Sequence, residues 1–143
     1  MIRELGNGET RLAADAMLAL RPHLGSAEEF VRLVDEVQRP QGYRLIAYFV
    51  DGRERAVAAA GFRVNDYLAW GHSLYCDDLS TLPEHRGHGY AAGLVDWMIE
   101  EANRLGCGEF HLDSGVGADR ESAHRLYFNK RMRISSYHFS RKV

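Results

Sequence analysis

Cysteine is scarce in this sequence: Cys76 and Cys107 are its only two. Two thiols make no disulfide framework, and a chain of this length folds without one. No metal-ligand spacing surrounds either of them. Long apolar runs are missing as well, with no stretch of about 18 hydrophobic residues, so no membrane-spanning helix is expected. The opening Met1-Ile2-Arg3-Glu4-Leu5-Gly6 has no apolar core of a signal peptide, and a cytoplasmic protein with reduced thiols is the expectation. Repeats, linkers and low-complexity segments are also absent, so one domain over residues 1–143 is expected.

The composition is that of a globular protein: 45% hydrophobic, 10% aromatic and 27% charged. Whole-chain disorder, collagen and coiled coil are excluded on that ground. The net charge of −2 hides a split. Residues 1–119 set 11 arginines against 19 acidic side chains, a balance of −8, whereas residues 120–143 hold seven basic side chains and one glutamate, a balance of +6. A solvated helix face and tail would account for the basic segment; a phosphate-bearing ligand is the sharper reading. Nucleic acid is disfavoured, because no aromatic-interleaved basic stripe exists and the remainder of the chain repels phosphate.

Hydrophobic periodicity orders the elements. Leu12, Ala16, Leu20 and Leu24 repeat at helical spacing over residues 10–24. Ser26 followed by Glu29 is a capping-box pattern that opens a second helix, which Pro40 and Gly42 close. Residues 43–50 and 56–64 are strand-like runs around Asp51-Gly52, a hairpin pattern. A third run, 73–81, carries the adjacent carboxylates Asp77 and Asp78. Ala91, Leu94, Val95, Met98, Ala102 and Leu105 then line one face of a long helix that Gly106 ends. A short strand at 109–114, a helix at 121–132 and a last strand at 135–140 complete an α+β domain with a mixed sheet.

The segment that carries chemistry is Arg86-Gly87-His88-Gly89-Tyr90-Ala91, between a strand and the long helix. Its glycines let the backbone approach a ligand, and the first N–H groups of the helix have no acceptor, which suits a pyrophosphate. Without Gly-Lys-Ser/Thr the loop is not a P-loop. Gly87-x-Gly89-x-x-Ala92 with Asp113 loosely fits a dinucleotide fingerprint, but Pro83-Glu84-His85-Arg86 intervenes after the strand and a hairpin precedes it.

Arg86-Gly87-His88-Gly89-Tyr90-Ala91 resembles the Gln/Arg-x-x-Gly-x-Gly/Ala motif of the GNAT superfamily of N-acetyltransferases. The lead-in from Asp77 to Arg86 is similar to that family's fourth strand, and Ala123-His124-Arg125-Leu126-Tyr127 to its fourth-helix pattern ending in tyrosine. The resemblance covers nearly the whole chain. It implies the GNAT fold, a mixed, mostly antiparallel twisted sheet flanked by helices in the order β-α-α-β-β-β-α-β-α-β. It also implies direct transfer of an acetyl group from acetyl-CoA to a primary amine, without a metal.

By that resemblance the Leu79 amide would meet the thioester carbonyl and Thr81 the pantetheine, with Ser80 between them. Arg86, Gly87, His88, Gly89, Tyr90 and Ala91 would cradle the pyrophosphate, and Tyr127 would give a proton to the departing thiolate. Arg120, with Arg125, is expected to meet cofactor phosphates. An amine of pKa near 10.4 is neutral in only about one part in 2,500 at pH 7, so a base is needed. Asp77 and Asp78 are the candidates; simple alternation puts Asp77 on the face of Leu79 and Thr81, and a bulge would reverse that. His72, His111 and Asp113 are held in reserve, and Trp70 and Tyr75 are candidates to line the acceptor site.

The sequence departs from the family pattern at Arg120, where many members carry Asn, at Arg131-Met132 in place of Gly-Phe, and in the tail Ser135-Ser136-Tyr137-His138-Phe139. The acidic first 119 residues favour a cationic acceptor such as a polyamine, an aminoglycoside or a lysine side chain. A homodimer is the family's common habit. The competing reading is an acyl-CoA-binding sensor or interaction module of the same fold that does not turn over.

Overall fold

Five strands make one sheet: β1 (Ile2–Leu5), β2 (Arg44–Tyr48), β3 (Ala58–Tyr67), β4 (Gly71–Thr81) and β5 (Glu109–Leu112), side by side in that order. The first four are antiparallel neighbours. The helices are α1 (Ala14–Leu20), α2 (Ala27–Arg32), α3 (Tyr90–Arg104) and α4 (Glu121–Asn129). This is the mixed α+β architecture expected from the sequence. The computed structural model describes all 143 residues, which form two units, Met1–His111 and Leu112–Val143.

Within the first unit the period of two in the strands sorts side chains onto two faces. Leu5, Leu45, Ala47 and Ala59 are fully buried on one face in a cluster with Met17 of α1 and Phe30 of α2. On the other face Phe62 packs against Trp97 of α3, ring centroids 6.0 Å apart. Leu94, Val95 and Met98 are the fully buried stripe of that helix. A Cβ at Gly93 would lie 3.2 Å from the Tyr48 ring and 3.4 Å from Ile2, so the absent side chain lets α3 settle closely on the sheet.

Local chemistry explains where the elements differ from the expected ones. The first helix is cut at Arg21 (φ −119°, ψ 60°), because the residue before Pro22 is driven out of the helical region. Ser26 Oγ caps α2 by accepting from the Glu29 amide at 3.1 Å. The Glu29 carboxylate does not reach back but clasps Arg32 at 2.7 and 2.9 Å, so only half of the capping box forms. A π-helical turn, Leu33–Gln38, then continues α2. Gly52 makes its turn at φ 77°, within a connection spanning residues 49–57, longer than the expected 51–55.

In the second unit α4 stops at Asn129, earlier than the expected 132. Arg131 takes φ 61°, its amide bonds to Phe128 O and that of Met132 to Tyr127 O, both at 3.0 Å. That is a Schellman closure with arginine in the position that favours glycine. The strand expected at 135–140 does not form: residues 133–143 have no regular structure and are almost wholly exposed, Tyr137 at 85% and Phe139 at 91%. A strand exists only through a ladder partner, and the sheet's order ends at β5.

Candidate active site

The site is built on β4. All of its 11 residues but Asp77 pair with β3, from Tyr67↔Gly71 to Ala58↔Thr81. On the other edge β5 has four residues, and the Gly108 amide preceding it donates to His72 O at 2.9 Å. At roughly 3.3 Å per residue β5 is too short to run from there to the far end of β4. On that edge residues 77–81 therefore have no strand beside them. The Leu82 amide bonds across to Val57 O at 2.9 Å, so by antiparallel alternation the amides of Leu79 and Thr81 point out of the open edge. Thr81 Oγ1 there is buried without a hydrogen-bond partner.

The chain leaves β4 through a 3-10 turn, Pro83–His85, and enters α3 through Gly87 and Gly89, both at φ 80°. Open space surrounds a Cβ at either glycine, so backbone conformation, not crowding, requires them. Gly89 is the N-cap and has no capping side chain; the first helical bond is Gly93 N to Gly89 O at 3.0 Å. The preceding amides of the first turn are left as donors, at the positive end of the helix dipole. Around this loop, the Arg86 guanidinium returns to Thr81 O at 3.3 Å, and His88 folds its Nδ1 onto the carbonyls of His85 and Arg86 while stacking on Tyr90.

A cavity of about 350 Å³ opens on the α1–α2 face of the sheet, with Asp77 and Asp78 among its lining. The register slips between Gly61 and Phe62: Cys76 faces Phe62 and Asp78 faces Gly61, leaving Asp77 as the extra residue of a β-bulge. Simple alternation would put the two carboxylates on opposite faces. The bulge brings both to the cavity, and separates Asp77 from the face of Leu79 and Thr81, which lie opposite Ala60 and Ala58 on the α3 side.

Each carboxylate has a fixed partner. Asp77 Oδ2 accepts from Arg63 Nε at 2.8 Å, and its Oδ1 has no protein hydrogen bond. Arg63 is itself held, bonding to Gln38 and to Gln41 O. Asp78 accepts from Arg21 Nε at 2.9 Å through Oδ1 and from the Tyr43 hydroxyl at 2.9 Å through Oδ2. Burial lifts the Asp77 carboxyl above the ordinary carboxylate value, and the Asp78 charge adds to that, against the lowering influence of Arg63 and Arg21. Burial, and then Asp78, raise the Tyr43 phenol well above its usual value, so it remains a donor at neutral pH. Burial likewise pushes up the Cys76 thiol beside the bulge.

A row of unpaired amides, a glycine-capped helix and a carboxylate-lined cavity thus share one strand and its exit. The sequence pattern of the acetyltransferase (GNAT) family matches residues 11–132. The chain is also 31% identical over 128 residues to the uncharacterized N-acetyltransferase YhdJ of Bacillus subtilis, an alignment covering 89% of this chain and 87% of that one. The chain belongs to the GNAT acetyltransferase family. Many solved structures share its fold. A transcriptional regulator from Bacillus halodurans C-125 superposes with TM-score 0.82 at 22% identity, covering 100% of this chain and 99% of that one. A predicted acetyltransferase with acetyl-CoA from Clostridium acetobutylicum gives 0.74 at 14% identity, covering 99% and 95%.

The other residues singled out by GNAT resemblance or by chemistry fall elsewhere. Tyr127 lies on α4 and Arg120 at its N-cap, both in the second unit. There Arg125 faces Glu121 at 3.6 Å, His124 Nε2 lies 2.8 Å from Gly115 O, and Asp113 is 3.5 Å from His138. His72 pairs with Asp66 at 2.8 Å, about 16 Å along the strand from Asp77 at the usual rise per residue. His111 stacks on Trp70 at 3.8 Å, and Trp70 on Tyr75 at 6.5 Å. None of these four lines the cavity. Sequence reasoning missed Tyr43, Arg63, Arg21 and Gln38, which surround the carboxylates. One signal was available: a glycine inside a strand run, Gly61, marks a close approach.

Proposed function

We propose that this GNAT protein is an N-acetyltransferase that moves an acetyl group from acetyl-CoA directly to a primary amine. The observation that carries the reading is the open edge of β4 at Leu79 and Thr81, adjoining the Asp77–Asp78 cavity on the same strand. Both units together form the acetyltransferase domain, since the family pattern spans residues 11–132. The unpaired amides and the buried, partnerless Thr81 Oγ1 fit a pantetheine chain, and the Gly87–Gly89 entry to α3 fits a pyrophosphate.

Bound acetyl-CoA supplies an activated acetyl thioester. The Leu79 amide, with Ser80 and Thr81 extending the strand, holds the thioester carbonyl and stabilises negative charge on its oxygen, an effect worth a few kcal/mol, about 3. Arg86, Gly87, His88, Gly89, Tyr90 and Ala91 bind phosphate through backbone amides, and Arg120 and Arg125 add charge. Asp77 Oδ1, the unpartnered oxygen on the carboxylate of raised pKa, takes the proton of the amine directly or through water. Asp78, held at both oxygens by Arg21 and Tyr43, positions the amine through its charge beside Asp77 and not by a bond of its own. The Tyr127 hydroxyl returns a proton to the departing thiolate. Two free thiols fit a cytoplasmic location, and a homodimer fits the family.

The test is release of CoA thiol from acetyl-CoA with a panel of primary amines, after acetyl-CoA binding is established by titration. Amine-dependent release supports the reading, and Tyr127→Phe should then lower kcat. Tight acetyl-CoA binding without release for any amine would favour a sensor or interaction module instead. Neutralising Arg120 should weaken acetyl-CoA binding and flatten its salt dependence; if neither changes, the basic segment is a solvated surface.

A further inference from the structure

The cavity's charge differs from that of the chain around it. Four charged side chains other than histidine line it, Arg21, Arg63, Asp77 and Asp78, and their formal charges cancel. Asp78 is spoken for at both oxygens, by Arg21 and Tyr43. Asp77 gives Oδ2 to Arg63 and keeps Oδ1. The lining therefore offers one position for one ammonium group. No glutamate or further aspartate lines the cavity. The rest of the wall is mainly apolar, Met17, Leu24, Phe30, Leu33 and Val34, with His23, Gln38 and Tyr43 as its polar members.

A second ammonium group would have to shed water against that wall without a counter-charge, which is costly. An apolar body would gain from the same contact. The volume of about 350 Å³ is at the small end for ligand pockets and admits a compact body such as a phenyl ring or a branched alkyl chain. We propose that the acceptor is a primary monoamine with a compact apolar body, and that polycations are poor acceptors. This rests on the acetyl-transfer reading above. It replaces the polyamine, aminoglycoside or lysine acceptor that the acidic bulk of the chain suggests, because the pocket, not the surface field, desolvates the substrate.

The full-length protein with acetyl-CoA is assayed for CoA-thiol release with 2-phenylethylamine and isopentylamine against cadaverine, spermidine and kanamycin. The expected result is a kcat/KM for the monoamines about tenfold or more above that for the polycations. Equal or better turnover of cadaverine, spermidine or kanamycin overturns the proposal and leaves acetyl transfer standing. If no amine releases thiol, the transfer reading fails, and calorimetric titration of 2-phenylethylamine decides the pocket's chemistry separately: saturable binding that spermidine does not match supports it, and no binding overturns it. Leu33→Asp adds a carboxylate to the half-buried wall and should raise the ratio of cadaverine to isopentylamine turnover or binding. An unchanged ratio in a cooperatively melting variant counts against the assignment, with Leu24→Asp as the second variant should the first not fold.

Discussion

Tyr43 donates its hydroxyl proton to Asp78 Oδ2 across 2.9 Å, and it reaches that carboxylate because Gly61 leaves the strand beneath its ring bare. A Cβ at Gly61 would overlap the Tyr43 phenol itself, not a flexible end that could move aside. Gly61→Ala should therefore destabilise the protein by about 2 kcal/mol through overpacking and lower kcat/KM together with it. Tyr43→Phe keeps the ring and removes the donor; it should cost about 1 kcal/mol in urea denaturation and weaken the amine's KM more than kcat. An unaltered KM in Tyr43→Phe would sever Tyr43 and Asp78 from acceptor positioning.

In the proposed reaction Asp77 is the base and must be ionised, and burial raises its pKa. Activity should thus fall on the acid side through a pKa above the ordinary carboxylate value of 3.8. Arg63 opposes that rise, so Arg63→Gln should move the acid limb to higher pH. Asp77→Asn should remove the limb and lower kcat about 10²-fold or more, as expected for loss of a general base. Rate–pH profiles of the three proteins check this; a limb persisting in Asp77→Asn would assign it to another group.

On the opposite face Arg104 and Arg44 hold the buried Glu101 carboxyl at about 2, below its usual 4.5. A depressed folded-state pKa stabilises above the unfolded value, and that stability is lost as pH falls through the folded one. Glu101→Gln should cost about 2 kcal/mol at pH 7. The gap to the unsubstituted protein should narrow below pH 4.5 and be largely gone by pH 2. Urea midpoints across that range measure it.

Arg131 ends α4 with a left-handed backbone, φ 61°. Side-chain-bearing residues pay about 1 kcal/mol for that conformation, more than glycine's added freedom in the unfolded chain takes back. Arg131→Gly should slow hydrogen exchange of the last α4 amides; unchanged or faster exchange would mean the closure carries no strain.

Much of this was legible locally. The stripe from Leu94 to Ala102 predicts α3 and its buried face, and Ser26 predicts the start of α2. Gly87 and Gly89 read as a ligand-approaching loop, and both have the positive φ that only glycine adopts freely. The strand expected at 135–140 does not form because alternation records a tendency to extend, whereas a strand also needs a partner. Pro22's effect on Arg21 and the π-helical turn at Leu33–Gln38 were local too, but weaker than the apolar period that ran through them.

The sequence by itself determined the family motif, the layers of helix and strand, and the presence of two adjacent carboxylates. Only the tertiary structure decided how those carboxylates are held. Composition counts Asp77 and Asp78 as part of an acidic chain; the folded protein neutralises them with Arg63, 14 residues away, and Arg21, 57 residues from Asp78. Their common face depends on a bulge set by the pairing of β4 with β3, and Tyr43 arrives from 35 residues upstream over Gly61. Such contacts follow from strand register and helix packing, which bring distant residues within hydrogen-bond reach and leave no periodic trace along the chain.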